Sequence, residues 1–221
     1  MMPLRTILFV AILLSCSVSC EKKHHYALKG NLKDEFGGPD LRAYGGSIDG
    51  SGYHFAPMQG LSFKSDDISS EYTIVISLTL GNCGNGRWCK ILDFANRITD
   101  KGLYVERQGL LSLFLANGGN TGTTVVGSQP QTITMTRSAT GFVNIYLGKL
   151  GTSSNPEIGC NDTAGSTAVT NQVLWIVQAI QTNEFPAGTV TDLFISNKAR
   201  PGPTVETHPG CHGVIPPLDR R

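Results

Sequence analysis

The segment YTIVISLTL, from Tyr72 to Leu80, alternates larger apolar side chains with smaller or more polar ones along its whole length. Successive side chains of a strand point to opposite faces, so this pattern predicts a strand with one face on a core. The core-facing set would be Tyr72, Ile74, Ile76, Leu78 and Leu80. A chain built around such strands must pair them in sheets and bury their apolar faces.

Five further segments have the same strand character, and clusters of Gly, Asn, Ser, Asp and Pro separate them. They are Leu110–Ala116, Gln131–Arg137, Phe142–Gly148, Val173–Ala179 and Gly188–Ser196. No segment shows the apolar stripe of an amphipathic helix. Many short strands without helical alternation favour an all-β, antiparallel β-sandwich, and the 26 glycines suit its many turns.

The chain has 221 residues and a formal net charge of +1. That length fits one ordinary domain with a sizeable core. The balanced charge gives no reason to expect nucleic acid or an anionic membrane surface as a partner. Neither of these two partner classes is therefore expected.

Residues 1–20 are predicted to be a signal peptide. Arg5 supplies the basic start, TILFVAILL is an apolar core too short for a stable membrane anchor, and SCSVSC offers small residues for cleavage near Ser19 or Cys20. An alternative is a lipid anchor on Cys16, because LLSC resembles a bacterial lipoprotein box. No later segment is apolar and long enough to span a membrane, so a secreted, extracellular protein is expected. Its sandwich would cover residues 21–198, and a Pro- and Gly-rich tail would cover residues 199–221.

Four cysteines would remain after cleavage: Cys83, Cys89, Cys160 and Cys211. An even number in an exported chain predicts two disulfides, for which three connectivities exist. The short segment CGNGRWC favours a hairpin tip closed by Cys83 and Cys89, which would leave Cys160 to pair with Cys211. Asn161 begins the sequon NDT and would carry a glycan on a surface loop in a eukaryote.

Several segments in order resemble one known group of domains: YALKGNLKDEFGGPDLRAYGG, GYHFAPMQGLSF, YTIVISLTL, KILDFANRITDKGLYVERQGLLSLF and AGTVTDLFIS. Together they are similar to the laminin-G-like, concanavalin A-like lectin/glucanase domains of secreted proteins, over residues 26–197. The resemblance implies a jelly roll of two antiparallel sheets. It implies less about function, because this fold carries lectins, adhesion modules, glycosidases and structural domains.

The prediction is a secreted, non-enzymatic module that binds glycans or mediates adhesion at the cell surface or in the extracellular matrix. Glucanases of this fold carry Glu-x-Asp-x-x-Glu on one strand, and no Glu here is followed two residues later by Asp. A nucleophile-elbow motif is missing too. A glycoside hydrolase is therefore less favoured, and the main alternative is a structural subunit of an extracellular assembly.

The predicted partner is a glycan or an extracellular protein. Sugar binding needs an aromatic platform with hydrogen-bonding neighbours, and Trp88 beside Asn85 and Arg87 is the best match. The alternative for Trp88 is that it packs under its own hairpin. Trp175 lies in an apolar strand and is expected in the core.

No metal site or cofactor is predicted, although calcium at the sandwich rim is an alternative. Its oxygen ligands would come from one of three groups: Asp93, Asn96 and Asp100; Asp66 and Asp67; or Asn161 and Asp162. His208, Cys211 and His212 lie close together, but a disulfide cysteine in a histidine-containing tail explains them without zinc. His24 and His25 are expected to be exposed polar residues.

Asp93 is unusual because it ends the apolar run KILDF. Even alternation would place it on one strand face with Ile91 and would place Lys90 on the other. A buried carboxylate must be hydrogen-bonded or paired, and the loop that follows offers many backbone amides. We therefore expect Asp93 to hold the loop of residues 96–102, with Asn96 adding a local bond of the Asx type.

Overall fold

The structure is a computed structural model that describes residues 20–81, 83, 88–115, 118–124, 129–148, 155–178 and 186–200. None of these residues lies in a helix, and the described strands form two antiparallel sheets. The prediction of an all-β sandwich is therefore confirmed. Within the same ranges no helix is long and apolar enough to cross a membrane.

Eight strands form one sheet and seven form the other. The first sheet contains β1 (Lys23–Tyr26), β3 (Ser47–Asp49), β4 (Gly52–Phe55), β6 (Tyr72–Leu80), β11 (Gln131–Arg137), β12 (Phe142–Leu147), β13 (Ile158–Asn161) and β15 (Gly188–Ser196). The second contains β2 (Arg42–Tyr44), β5 (Gly60–Lys64), β7 (Cys89–Asp93), β8 (Gly102–Val105), β9 (Leu110–Leu115), β10 (Gly118–Thr124) and β14 (Val173–Ile176).

The order of strands joins parts of the chain that are distant in sequence. The eight-stranded sheet runs β13-β12-β11-β6-β15-β4-β3, and β1 pairs with β15 beside this path. The seven-stranded sheet runs β10-β9-β8-β7-β14-β5-β2. The late strands β14 and β15 therefore lie inside the two sheets, between strands from the first half of the chain.

The core lies between the sheets, as the alternation of β6 requires. All five of its predicted core-facing residues are buried, whereas Val75, Ser77 and Thr79 are only partly covered. From the other sheet, Leu61, Phe63, Leu103 and Leu113 are completely buried and belong to the same apolar cluster. Each sheet contributes one side of its regular strands to the core. The alternation of apolar and polar residues in the sequence therefore identified the core-facing side chains.

All the predicted strands are present. For one of them, the predicted end differs from the observed end by more than one residue. The strand that starts at Val173 ends at Ile176, because Val177 adopts a left-handed backbone with φ of 51°. A β-branched residue rarely adopts that conformation, and no apolar pattern signals it. The amide of Val177 instead donates to the carbonyl oxygen of Ile91, at 2.8 Å.

The N-terminal strand corrects the expectation for the two histidines. His24 is buried because β1 pairs with β15, and its Nδ1 lies 2.7 Å from Asp34 Oδ2. His25 is partly buried between the carboxylates of Glu35 and Asp192, at 2.7 and 3.0 Å. Exposure was the wrong prediction because it treated this segment as an unpaired end rather than as part of a sheet.

Both ends of the predicted domain meet. Arg200, inside the predicted tail, contacts Glu21 with its Nη2 at 2.8 Å, and its amide donates to Thr73 Oγ1 at 2.9 Å. Residues 1–19 of the predicted signal peptide, which include the alternative lipid-anchor residue Cys16, lie outside the described residues, as do His208 and His212.

Candidate functional site

A β-bulge in β7 determines which side chains meet on the outer face of the seven-stranded sheet. Lys90 pairs with Tyr104 and Leu92 pairs with Leu103, so Ile91 is an additional residue without a counterpart. The bulge shifts the alternation by one residue. Lys90 and Asp93 therefore share a face, and the prediction that they lie on opposite faces is wrong.

Lys90 and Asp93 form a fully buried ion pair. The Nζ atom of Lys90 lies 2.8 Å from Asp93 Oδ2, and neither side chain is exposed to solvent. Lys90 Nζ also lies 3.4 Å from the carbonyl oxygen of Thr99 and 5.1 Å from the centre of the Tyr104 ring. The Asp100 carboxylate lies at 4.0 Å, so the positive charge is compensated by two carboxylates, one carbonyl group and one aromatic face.

The second carboxylate oxygen of Asp93 holds the following loop. Asp93 Oδ1 accepts hydrogen bonds from the amides of Ala95, at 3.1 Å, and Arg97, at 2.8 Å. These are charge-assisted bonds to backbone donors. They give Asp93 the geometry of a hub for this loop, whereas the size of its contribution to stability stays a prediction.

Asn96 does not make the Asx-type bond that was predicted for it. Its Oδ1 accepts a hydrogen bond from the indole Nε1 of Trp175, at 2.8 Å, and joins the loop to β14. Asn96 and Arg97 both have left-handed backbones, with φ of 50° and 61°. Because Asp93 already binds the nearby amides, the side chain of Asn96 is directed to a strand that is distant in sequence.

Trp175 lies on the outer face of the sheet rather than between the sheets. Its neighbours Leu174 and Ile176 belong to the core cluster, so the side chain of Trp175 points the other way. Its ring lies 4.6 Å from the ring of Tyr44, and the guanidinium carbon of Arg97 lies 5.1 Å from the indole. Trp175 is 8 % exposed, so it is buried as predicted. Its ring packs on the outer face of the sheet, however, and not between the two sheets.

Arg42 extends the same group of side chains. Its guanidinium carbon lies 4.9 Å from the centre of the Tyr44 ring, and Arg42 itself is exposed. Strand register brings these residues together, because Arg42 pairs with Ser62 and Ser62 pairs with Trp175. We refer to Arg42, Tyr44, Arg97 and Trp175 as the arginine–aromatic cluster.

Three more rings pack on the neighbouring strands of this face. Trp88 meets Tyr104 and Phe114 edge-on, with centroid distances of 6.0 and 5.1 Å. Tyr104 and Phe114 themselves lie 5.6 Å apart. Trp88 and Phe114 are only partly buried, so their rings are accessible in part. These three rings and the arginine–aromatic cluster together form what we refer to as the aromatic face.

The structure places Trp88 against two neighbouring strands, and its role in ligand binding stays a prediction. Its ring packs on the strands β8 and β9, which come after the hairpin in the chain. The disulfide between Cys83 and Cys89 is present, as predicted, and ties the chain just before β7. The other two residues of the predicted ligand site, Asn85 and Arg87, lie outside the described residues.

Glu106 is a functional candidate that the sequence did not indicate. It follows β8, two residues after Tyr104, and its amide donates to the carbonyl oxygen of Leu110 so that the ladder continues. The alternation therefore directs its side chain to the aromatic face. Glu106 is 8 % exposed, and burial raises the pKa of its carboxyl group. A buried carboxyl group with a raised pKa is a candidate for a functional site.

Several of the oxygen atoms proposed for calcium accept hydrogen bonds from protein donors. Asp93 is engaged as described, and Asp100 Oδ1 accepts from the hydroxyl group of Tyr104 at 2.7 Å. Asp162 accepts from Ser166 and Thr167, and Asp67 from Ser65. Within the ranges that the structure describes, no group of three or more His, Cys, Asp or Glu side chains is arranged to hold a metal ion.

Two predicted modification sites lie on β13. Asn161 is exposed at the end of this strand, which pairs only with β12 in its sheet. That position makes the sequon accessible, and its glycosylation stays a prediction. Cys160 is buried, and the predicted disulfide to Cys211 cannot be placed because Cys211 lies outside the described residues.

No protein-family model and no curated protein sequence matches this chain. Solved structures do share its fold. Trypanosoma rangeli sialidase, in complex with 2,3-difluorosialic acid, is similar over 81% of this chain and 30% of its own, with 14% identity and a TM-score of 0.63. The chain thus spans less than a third of the sialidase.

Two further structures are matched over a larger share of their own length. Domain 4 of AbnA, a GH43 extracellular arabinanase from Geobacillus stearothermophilus, in complex with arabinotriose, is similar over 80% of this chain and 92% of its own, with 13% identity and a TM-score of 0.53. The receptor binding domain of botulinum neurotoxin C/D mosaic serotype is similar over 81% and 48%, with 12% identity and a TM-score of 0.55. At these identities the likeness shows the β-sandwich fold alone, and membership of the laminin-G-like group stays a prediction.

Proposed function

We propose that this chain is a glycan-binding module and that it binds through the aromatic face. The observation that carries the proposal is the outward-facing row of aromatic rings on the seven-stranded sheet, from Tyr44 on β2 to Phe114 on β9. Three of these rings, Tyr44, Trp88 and Phe114, are partly exposed, and the other two, Tyr104 and Trp175, are buried beside them. The apolar faces of the exposed rings can pack against the C–H face of a sugar ring.

Polar groups at the same surface suit a saccharide. Arg42 and Arg97 offer hydrogen-bond donors at one end, and Glu106, two residues after Tyr104, offers a carboxyl group at the other. Sugar hydroxyl groups both donate and accept hydrogen bonds, so they match this mixture. A purely apolar partner would leave these polar groups unsatisfied.

The similar structures support this proposal at the level of the fold. The arabinanase domain, with arabinotriose bound, is a whole domain of nearly the same extent as this β-sandwich, and the sialidases were solved with sialic acid and related compounds. A β-sandwich of this kind can therefore accompany carbohydrate chemistry. The specific residues of the aromatic face are argued from this chain alone.

We propose binding without catalysis. Glycoside hydrolysis needs two carboxyl groups, one on each side of the scissile bond. On the aromatic face Asp93 is neutralised by Lys90, which leaves Glu106 without a similarly buried partner among the described residues. This distribution favours a recognition surface over a pair of catalytic acids.

Export from the cytoplasm is part of the proposal. The predicted signal peptide motivates it, and the disulfide between Cys83 and Cys89 supports it, since such bonds persist in oxidising compartments. The membrane-attached form with lipid on Cys16 is the alternative within the same proposal. Mass spectrometry of the mature N-terminus would distinguish cleavage near Cys20 from lipid attachment at Cys16.

The test is a glycan array probed with the wild-type protein, Tyr44→Ala, Trp88→Ala and Phe36→Ala. Phe36 is 60 % exposed on the loop after β1 and serves as an aromatic control outside the face. We expect saccharide binding that falls at least about tenfold, or about 1.4 kcal/mol, in the two variants of the aromatic face. The control should bind like the wild type.

Two results would contradict the proposal. Equal losses for all three variants would mean that the aromatic face is not the binding surface. A folded protein that binds no saccharide and self-assembles would instead favour the structural alternative. Because Trp88 packs against two rings, the melting temperature of Trp88→Ala must be measured as well. Tyr44→Ala, at the edge of the sheet, keeps the test valid if Trp88→Ala unfolds.

A further inference from the structure

The arginine–aromatic cluster carries positive charge without a counter-ion. Neither Arg42 nor Arg97 forms a salt bridge or a side-chain hydrogen bond with any described residue. Both guanidinium groups are instead positioned over aromatic rings, Arg42 over Tyr44 and Arg97 over Trp175. A guanidinium group over a ring keeps the N–H groups at its edge available for a planar acceptor.

Arg97 has an unsatisfied donor in a confined position. Its Nε atom is buried and has no hydrogen-bond partner in the described part of the chain. An unpaired buried donor costs free energy, and this cost disappears when an acceptor binds. The Nε and one Nη of an arginine form the fork that binds carboxylate or sulfate in a bidentate manner.

The position of Arg97 is built into the fold. Its amide donates to Asp93 Oδ1 at 2.8 Å, and its backbone is held in the left-handed region with φ of 61°. The adjacent Asn96 is anchored to Trp175 by a hydrogen bond of 2.8 Å. Backbone strain of this kind persists only where surrounding contacts maintain it, and such strain concentrates at binding sites.

The nearest buried carboxylate does not cancel this charge. Asp93 would be the natural partner of Arg97, but Lys90 lies 2.8 Å from it and neutralises it. The bulge at Ile91 is what places Asp93 on the same face as Lys90. The arginine–aromatic cluster therefore keeps two uncompensated positive charges beside an aromatic ring.

We infer that the arginine–aromatic cluster binds the anionic group of an acidic saccharide, a carboxylate or a sulfate. This inference rests on the proposed function and names the class of glycan. The fork of Arg97 would hold the anionic group, with Arg42 as the second donor. The sugar ring that carries the group would pack on Tyr44, the half-exposed ring of the cluster.

The experiment measures the affinity of the full-length mature protein for three oligosaccharides of equal length by isothermal titration calorimetry. A heparin-derived oligosaccharide carries sulfate and carboxylate, a hyaluronan oligosaccharide carries carboxylate alone, and a chitin oligosaccharide is neutral. The variants are Arg97→Gln, Arg97→Lys and Arg42→Gln. Lys29→Gln is the matched control, because Lys29 is exposed, lies in the loop between β1 and β2 and loses the same charge.

We expect the wild type to bind at least one anionic oligosaccharide at least about tenfold more tightly than the neutral one. Arg97→Gln should lower that affinity by at least about tenfold, and Arg42→Gln by less. Arg97→Lys should not restore it, because an ammonium group is a point charge without the planar fork. Lys29→Gln should bind like the wild type. Binding of hyaluronan distinguishes carboxylate recognition from a requirement for sulfate.

Three results would overturn the inference. If the neutral oligosaccharide binds as tightly as the anionic ones, the proposed function stands and the assignment to acidic saccharides fails. If Lys29→Gln weakens binding as much as Arg97→Gln, the attraction is non-specific and depends on charge alone. If none of the three oligosaccharides binds, both this inference and its premise lose support, and the glycan array decides the premise.

Discussion

Two buried cation–carboxylate pairs in this molecule have the same chemistry and different surroundings. Arg137 and Asp162 connect β11 to the segment after β13, and Lys90 and Asp93 lie within β7 beneath the aromatic face. In both pairs the carboxylate also accepts backbone amides from the residues that follow it. The two pairs differ in whether the buried polar groups around them all have hydrogen-bond partners.

The Arg137–Asp162 pair forms a closed network. Asp162 Oδ2 accepts from both the amide and the hydroxyl group of Thr167, each at 2.7 Å, and Arg137 donates to Thr167 Oγ1 and to the carbonyl oxygen of Ser70. No side-chain nitrogen or oxygen of these four residues is among the buried unsatisfied atoms. A network in which every member is satisfied makes one region of the fold rigid and specific.

The Lys90–Asp93 pair lies beside unsatisfied groups. Thr99 Oγ1 and Arg97 Nε, both in the loop that this pair holds, are buried without a hydrogen-bond partner in the described part of the chain. Buried polar groups in native proteins are nearly always paired, so such exceptions call for an explanation. The comparison teaches that the first network is closed within the fold, whereas the second leaves polar groups that the proposed ligand would satisfy.

Loss of the closed network should have the largest effect on stability. Asp162→Ala leaves the guanidinium group of Arg137 buried without its counter-charge, and arginine cannot relieve this by releasing a proton. We expect the free energy of unfolding to fall by about 3–5 kcal/mol, measured by urea denaturation with tryptophan fluorescence.

Binding should respond differently from stability in this variant. Saccharide affinity of folded Asp162→Ala should equal that of the wild type, because the network does not contact the aromatic face. A loss of stability below about 1 kcal/mol would place this pair with ordinary surface ion pairs and would remove the contrast.

A smaller loss is expected for Asp93→Ala. Lys90 keeps the carbonyl oxygen of Thr99 at 3.4 Å and the Asp100 carboxylate at 4.0 Å, so the main cost comes from the unsatisfied amides of Ala95 and Arg97. We expect about 1–3 kcal/mol in the same denaturation experiment. Affinity for acidic saccharides should also fall, because Arg97 loses the anchor of its backbone.

The calcium alternative is tested with the same variant. The loss of stability in Asp93→Ala should be equal in calcium and in a chelator, with the exposed Asp40→Ala as control. If the melting temperature of the wild type rises steeply with calcium and Asp93→Ala lacks that response, then Asp93 is a metal ligand and its role as a loop hub is wrong.

The smallest predicted effect is a loss of stability at low pH. Although burial raises the pKa of the Asp162 carboxyl group, the hydrogen bonds from Thr167 and Ser166 and the charge of Arg137 together hold it below its usual range. A lowered pKa in the folded state gives stability that is present above the unfolded value of about 3.9 and lost as the pH falls through the folded value.

The pH dependence is measured by denaturation of the wild type and Asp162→Asn between about pH 6 and about pH 2. We expect the stability of the wild type to fall more steeply at the acid end than that of the variant. Parallel curves would show that Asp162 has no lowered pKa. The loss of stability on protonation of Asp162 should be smaller than the loss in Asp162→Ala, because a protonated carboxyl group still accepts hydrogen bonds.

The regular parts of this fold could be predicted from the sequence because they depend on neighbouring residues. The alternation from Tyr72 to Leu80 places alternate side chains on a core whatever lies across from it. The same holds for the disulfide of Cys83 and Cys89, where a short loop closes on itself. An aspartate before a loop rich in amides likewise indicates local hydrogen bonds.

Irregular backbone is where prediction from the sequence was wrong. The bulge at Ile91 and the left-handed residue Val177 carry no pattern of their own, and each changes which face the following side chains occupy. Lys90 and Asp93 were therefore assigned to opposite faces, and the ion pair between them was missed. Local preference is weak at such positions, and packing across the sheet decides them.

The sequence by itself determined the class of fold, the core faces of the regular strands and the local bonds around Asp93, because each depends on residues within one turn or strand. Only the tertiary structure decided the aromatic face. Tyr44, Arg97 and Trp175 come from three distant segments, and they meet because β2, β5, β14 and β7 are neighbours in one sheet. Strand order is a property of the whole sheet, so no local pattern can specify which of these side chains will touch.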